Sequence, residues 1–296
     1  MPFSLFELIR NPCLPVFEVH SSFSLLEPIM TYCVAMLLDV GLVFLSDSRT
    51  NAGVDQVGTF RKMTVFEMPG ERVMTLMTSG NLSISQSVLQ IVTEQASSSG
   101  RTIWSARTMF EAAEVISEAI RKVYRQDADS LSTFGINFDI GIIFGGQIGT
   151  EKCRLFQFYS PGNFIESHAE NPYFQIGEAK YGKPIIDRVV TTASTLEEAA
   201  KCALISMDST LRSNISVGLP LDLMLYQANS LHANRMVNID ANNAYFNEIR
   251  NIWGSKLKHV FEELANPVWD ATTNTPHAIA TLDKKNTLTP IKRPGS

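Results

Sequence analysis

The chain is predicted to fold as an α+β layered domain, and three observations carry that prediction. Residues 31–38 (TYCVAMLL) and 42–46 (LVFLS) are apolar at nearly every position, the mark of strands covered on both faces. Two long stretches beyond residue 80 then carry apolar residues at helical spacing. The second half of the chain repeats the succession of strands followed by helices. Two central sheets packed on each other, with helices outside, satisfy strands of this kind.

In order, 31–38 and 42–46 form a hairpin about the Asp39-Val40-Gly41 turn. Residues 62–67 and 73–78 form a second strand pair around Pro69-Gly70. A helix follows Gly80, with Leu82, Ser85, Val88, Leu89 and Val92 on one face. A longer one covers 108–124, burying Met109, Ala112, Ala113, Ile116, Ile120 and Val123 and exposing Glu111, Glu114, Glu118 and Arg121. Strands return at 138–144 and 154–159. A helix over 196–211 is opened by a capping box of Ser194 and Glu197. Strands at 221–226 and 235–239 and a helix over 242–265 complete the domain, taken as residues 31–266. The tail 267–296 is polar and rich in Thr, Lys and Pro, a composition that favours disorder.

Bulk properties exclude several functions. Apolar residues make up 45% and charged residues 19% of 296, enough for a sizeable core. The net charge of -5 gives no footprint for nucleic acid. No stretch reaches the roughly 18 uninterrupted apolar residues of a membrane span. Four scattered cysteines (Cys13, Cys33, Cys153, Cys202) lack CxxC spacing, which fits a reducing cytoplasm better than a disulfide framework. The five histidines are far apart, without HxxxH or HExxH, so neither a metal nor a cofactor is expected. No GxxxxGK[ST] motif occurs.

Residues 1–30 stand apart. Arg10 is the only basic residue before Met30, and Pro12, Pro15 and Pro28 interrupt the segment, which is a poor fit to a secretory signal. It reads as an N-terminal extension: a removable propeptide, a retained segment, or sequence ahead of an alternative start at Met30.

Thr31 follows directly, and its position carries the functional reading. A threonine hydroxyl is a weak nucleophile until a base takes its proton. When threonine is the first residue, its own α-amine, with a reference pKa of about 7.7–8.0, is available as that base. A nearby lysine ammonium lowers that value, and a carboxylate holds the lysine. Thr31 opens the first strand, Asp47 ends the second, and Lys62 starts the third. The hairpin brings Asp47 back beside the start of the first strand.

The segment SDSRTNAG (Ser46 to Gly53) is similar to the one after the second strand of catalytic proteasome β subunits. TYCVAMLLDVGLVFLSDSRTNAGVD followed by TFRKMTVFE resembles the bacterial Anbu family, the ancestral β-subunit group. The resemblance runs from Thr31 to about residue 265. It implies a four-layer αββα Ntn-hydrolase sandwich, peptide-bond hydrolysis through an acyl-enzyme, and assembly of many copies into a ring or spiral. An unfoldase partner is an analogy only. It also implies roles: Thr31 as nucleophile with its amine as base, Asp47 and Lys62 as electrostatic supports, Thr50 and Asn51 as residues that line the substrate cleft and pair an extended peptide through main-chain bonds, and Gly80 as oxyanion donor. Physics agrees on Gly80, since a strand-to-helix glycine leaves its N–H open at a helix N-terminus that favours negative charge. Two departures stand out. The Gly-Ser of proteasome β subunits corresponds to Gly177-Glu178, without a hydroxyl. Their later Asp and Ser correspond to Ser213-Asn214-Ile215-Ser216-Val217-Gly218, where Ser216 remains and the Asp does not.

Each residue also has a plainer reading. Thr31 alone is a β-former, Lys62 a strand-edge lysine, Asp47 a turn former and Gly80 a turn glycine. Cys33 is a rival nucleophile on the same strand face as Thr31, without a motif behind it. Glu166 and His168 fit a solvated loop. The expectation is therefore a cytoplasmic homo-oligomeric threonine peptidase acting on peptide or unfolded protein. Its alternatives are a non-catalytic scaffold of the same fold with the extension retained, and an Ntn amidase acting on small amide or peptide conjugates.

Overall fold

The computed structural model describes residues 31–51 and 57–267. The extension 1–30, with Cys13, and the tail beyond 267 lie outside the described residues. Strands β1 (Tyr32–Leu38) and β2 (Gly41–Asp47) form the expected hairpin. A short ribbon of β3 (Arg49–Asn51) and β4 (Val57–Thr59) comes next, and then the second hairpin of β5 (Met63–Met68) and β6 (Arg72–Gly80). Helices α1 (Leu82–Glu94) and α2 (Met109–Thr133) follow. The second half runs β7 (Ile140–Ile148), β8 (Arg154–Phe158), β9 (Phe164–Glu166), β10 (Tyr173–Gly177), α3 (Ala179–Val189), α4 (Leu196–Ser213), β11 (Leu221–Gln227), β12 (Met236–Ile239) and α5 (Ala244–Glu263).

Two five-stranded antiparallel sheets result, with orders β10-β1-β2-β11-β12 and β5-β6-β7-β8-β9. Strand alternation divides their residues among three cores. Tyr32, Val34 and Met36 pack with Ile186 of α3 and Ala199, Ala203 and Met207 of α4. On the same strand, Cys33 and Ala35 turn the other way and join Leu42 and Phe44 against Val73, Met77, Ile143 and Leu155 of the second sheet. The outer face of that sheet (Met74, Leu76, Ile142, Phe144, Phe156) is covered by Ile84 and Val88 of α1 and Ala112, Ile116 and Ile120 of α2. Each fully buried Phe in such a core contributes about 1.5–3 kcal/mol. This is why β1 and β2 are apolar on both faces.

Several elements differ from the expectation. Helix α2 continues to Thr133, nine residues beyond 124. The capping box of α4 is Thr195 with Glu198, one residue later than the expected pair. The Thr195 hydroxyl accepts the Glu198 N–H at 3.2 Å, and the Glu198 carboxylate accepts the Thr195 N–H at 3.0 Å. Ser194 instead closes the preceding turn by accepting the N–H of Thr191. Strands β3, β4, β9 and β10 and helix α3 are additions to the expected elements. Helix α3 is short and holds Pro184 inside it, which hides it from a periodicity argument.

By its internal contacts the chain divides into Met1–Asn251 and Ile252–Ser296. The described part of the second unit is the C-terminal half of α5 and the residues just after it. Leu257, Val260, Phe261 and Leu264 are exposed there.

Candidate active site

Asp47 is the residue around which the site is organised. It ends β2, is fully buried, and its register partner on β11 is Leu221. Its Oδ1 accepts the Tyr32 N–H at 3.1 Å and the Lys62 ammonium at 2.7 Å, and its Oδ2 accepts a longer bond of 3.4 Å from the Gly218 N–H. Burial pushes the Asp47 carboxyl above the usual carboxylate range, and the Lys62 ammonium and the two N–H donors work against that rise. Lys62 lies just before β5 and is 6% exposed. Its ammonium also donates to the Arg49 carbonyl at 2.7 Å, so a buried charge is held by a carboxylate and a carbonyl together.

The Tyr32 bond ties this ion pair to the start of β1, where Thr31 sits 1% exposed. The Thr31 carbonyl accepts the Glu178 N–H at 2.7 Å. Asp47 thus lies beside the start of β1, as the hairpin geometry predicts, and it links Lys62 to the Thr31–Tyr32 amide. Among the described residues, none accepts from or donates to the Thr31 hydroxyl.

Gly80 is the last residue of β6, with φ of 92°, and Asn81 caps α1 by accepting the N–H groups of Ser83 and Ile84. A Cβ at Gly80 would lie 2.5 Å from the Asp139 carbonyl, so the strand-to-helix turn requires glycine. Gly80, Gly177 and Glu178 line one cleft of about 410 Å³ between the ends of the two sheets. Thr50 and Asn51 lie in β3; their side chains are outside the described ones. Ser216 stands close to the site in the chain but is turned within its own loop. Its hydroxyl and N–H both donate to Asn214 Oδ1, at 2.6 and 2.9 Å.

Sequence reasoning missed the ties that bring residues 214–220 to Asp47. Both the N–H and the hydroxyl of Ser48 donate to the Pro220 carbonyl, at 3.0 and 2.6 Å. The Arg49 guanidinium lies against Gly218 and donates to the Ile215 carbonyl at 2.9 Å. Ser48 and Arg49 belong to the SDSRTNAG segment, so their presence was visible, but their partners lie far along the chain.

The other candidates resolve plainly. Cys33 is buried in the inter-sheet core, and burial pushes its thiol far up, the state of an inert cysteine. Glu166 forms a two-pronged pair with Arg154 at 2.7 Å through each oxygen, and His168 is exposed. Among the described residues no group of three or more His, Cys, Asp and Glu is placed to hold a metal. None of their helices is long and apolar enough to cross a membrane.

No protein-family model and no curated protein matches the chain. Solved structures do. It is similar to Anbu (ancestral beta-subunit) from Yersinia bercovieri, at 45% identity over 81% of this chain and 100% of that one, with a TM-score of 0.75. Similarity to Anbu from Hyphomicrobium sp. strain MC1 is 42% over 81% and 100%, with a TM-score of 0.75. The Anbu complex from Pseudomonas aeruginosa, solved as a helical assembly, matches at 41% over 82% and 100%, with a TM-score of 0.76. Two five-stranded antiparallel sheets and five helices among the described residues, with a buried Asp–Lys pair tied to the start of the first strand, thus define a proteasome-related protein. The chain belongs to the Anbu family.

Proposed function

We propose that the protein is a threonine peptidase of the Ntn class on a four-layer αββα sandwich, with Thr31 as its nucleophile once Thr31 is the first residue. The single observation behind this reading is that one buried carboxylate, Asp47, holds both the Lys62 ammonium and the amide joining Thr31 to Tyr32. A plain strand threonine has no use for a buried ion pair, which costs desolvation wherever it is placed.

In this reading the Thr31 hydroxyl attacks the substrate carbonyl and its proton passes to the α-amine. Lys62, fixed by Asp47, disfavours protonation of that amine beforehand. The N–H of Gly80 receives the oxyanion, a donor whose loss costs about 10²–10³ in rate. The amine proton goes to the departing peptide nitrogen, and water then releases the acyl group from the threonine oxygen. Thr50 and Asn51 pair the acyl half of the peptide as an extended strand, and Ser216 supports the site through its loop. Copies of the chain assemble, a reading supported by the helical assembly of the Pseudomonas relative. Cys33, Cys153 and Cys202 are unpaired, which supports a reducing, cytoplasmic setting.

Intact-mass measurement or N-terminal sequencing of protein made in its native host tests the reading, together with Thr31→Ala. A chain that begins at Thr31 and hydrolyses peptides, with hydrolysis abolished in the variant, supports it. A chain that keeps residues before Thr31 in its working form is a scaffold, and activity that survives Thr31→Ala puts the nucleophile elsewhere. Hydrolysis of small amides but not of peptides turns the reading to an amidase.

A further inference from the structure

We infer that the cleft beside Gly177 and Glu178 is a subsite for a positively charged side chain in the leaving half of the substrate; this rests on the peptidase reading and names the class of peptide it takes.

The first part of the argument is topological. In the sheet order, β1 lies between β10 and β2. On one flank of Thr31, therefore, the chain leaves β2 through Asp47 and Ser48 into β3. On the other flank is the end of β10, where Gly177 pairs with Tyr32 and Glu178 donates its N–H to the Thr31 carbonyl. A peptide whose acyl half pairs with β3 sends its amine half across Thr31 toward β10. The cleft opens there, and Gly80 shares its wall with Gly177 and Glu178. Its volume of about 410 Å³ falls in the lower part of the roughly 300–1,000 Å³ range of ligand pockets.

The second part is charge and unspent hydrogen-bonding capacity. Asp139 and Glu178 both line the cleft, joined by Ser79, Gln157 and Gln175, and among the described residues no Lys or Arg lines it. Glu178 is the N-cap residue of α3, yet its side chain makes no capping bond. Its Oε2 is buried and makes no hydrogen bond of good geometry. That oxygen is paired with the Lys180 ammonium at 3.2 Å, and the lysine side chain is 66% exposed. Ser79 is 9% exposed, and among the described residues its hydroxyl has no partner. The exposed Asp139 carboxylate, unlike that of Glu178, forms no ion pair with a described residue, while its carbonyl holds the Asn81 N–H. Lys180 holds one edge of the Glu178 carboxylate from outside the cleft, and no described cation holds Asp139, so an ammonium or guanidinium entering the cleft supplies donors to both carboxylates.

The test uses the full-length assembled protein and two probes, Lys-Ala-amide and Glu-Ala-amide, by titration calorimetry at low and physiological salt. The lysyl probe is expected to bind at least about tenfold tighter than the glutamyl probe, and its affinity to fall with salt. Glu178→Gln and Asp139→Asn are each expected to narrow that ratio severalfold; Asp139 is exposed, so its variant tests the cleft even where Glu178→Gln disturbs the fold. Equal binding of the two probes, no binding of either, or a ratio unmoved in both variants overturns the subsite. A parallel assay uses peptides with one acyl half, followed across the scissile bond by Lys, Ala or Glu. Hydrolysis with no preference for Lys overturns the subsite and leaves the peptidase reading standing. Selective lysyl binding without hydrolysis of any peptide keeps the subsite and sinks the peptidase reading.

Discussion

Gly177 and Thr31 are packed backbone to backbone: a Cβ on Gly177 would lie 1.8 Å from the Thr31 carbonyl oxygen, and the Gly177 φ is +78°. The end of β10 therefore presses on the candidate nucleophile from one side as the Asp47–Lys62 pair holds it from the other. Gly177→Ala has neither an allowed φ nor space, because the atom in the way is main chain. Its expected cost is at least about 2 kcal/mol in denaturant unfolding. Gly218→Ala is the informative contrast, since the atoms nearest its Cβ are those of the Arg49 guanidinium, Nε at 2.1 Å, and a long side chain can swing away. That variant loses the Arg49–Ile215 bond and about 1 kcal/mol. Equal costs for the two would contradict this account of the β10 contact.

Removing one member of the buried ion pair exposes the other's desolvation. Lys62→Met is expected to cost about 3–5 kcal/mol because Asp47 keeps only the N–H donors of Tyr32 and Gly218. Asp47→Asn with Lys62→Met leaves no buried charge and should recover part of that loss. The pH dependence follows from the direction of the Asp47 shift. Burial raises this carboxyl, and the variant lacks the ammonium that opposes the rise. Folding of Lys62→Met then takes up a proton, so the variant's stability is greatest below the ordinary carboxylate pKa and falls as pH rises through the raised one. Chemical denaturation of the variant between pH 4 and pH 8 measures it; stability rising over that window would reject the argument.

Burial also decides the cysteines. It pushes the thiols of Cys153 and Cys202 up to about 11, and that of Cys33 further still. Only the thiolate reacts, so iodoacetamide at pH 8 should label these three slowly in the native protein and quickly after unfolding. Peptide mapping separates them from Cys13. Rapid native labelling of Cys33 would place it outside the inter-sheet core and revive it as a nucleophile.

What was legible in the chain depended on how local the signal was. The β1–β2 hairpin is legible in its doubly apolar strands, and the same hairpin puts Asp47 beside the start of β1. Lys62 followed from the next strand. The capping box falls at Thr195 and Glu198 rather than Ser194 and Glu197 because Ser194-Thr195 and Glu197-Glu198 offer two overlapping frames, and Ser194 is drawn off by Thr191. Helix α3 was hidden by Pro184 and by burying little beyond Gly182 and Ile186. The bonds from Gly218 to Asp47 and from Ser48 to Pro220 span 171 and 172 residues. No local pattern encodes them, so the way residues 214–220 embrace the site emerged only from the fold.

That embrace sets the expected behaviour of Ser216. Its hydroxyl donates to Asn214 Oδ1, and its N–H makes a second bond to the same oxygen. Ser216→Ala keeps the second bond, so the loss of stability should be about 0.5–1.5 kcal/mol. The loop still delivers the Gly218 N–H to Asp47 and the Ile215 carbonyl to Arg49. If Ser216 acts only by shaping that loop, peptide hydrolysis should fall by about tenfold or less, the equivalent of 1.4 kcal/mol in the barrier. Thr31→Ala, by contrast, should leave none. The two variants compared in one assay, at saturating and limiting peptide, decide between a loop serine and a proton carrier. A Ser216→Ala loss as complete as that of Thr31→Ala would mean that the hydroxyl leaves Asn214 during turnover and handles the proton itself.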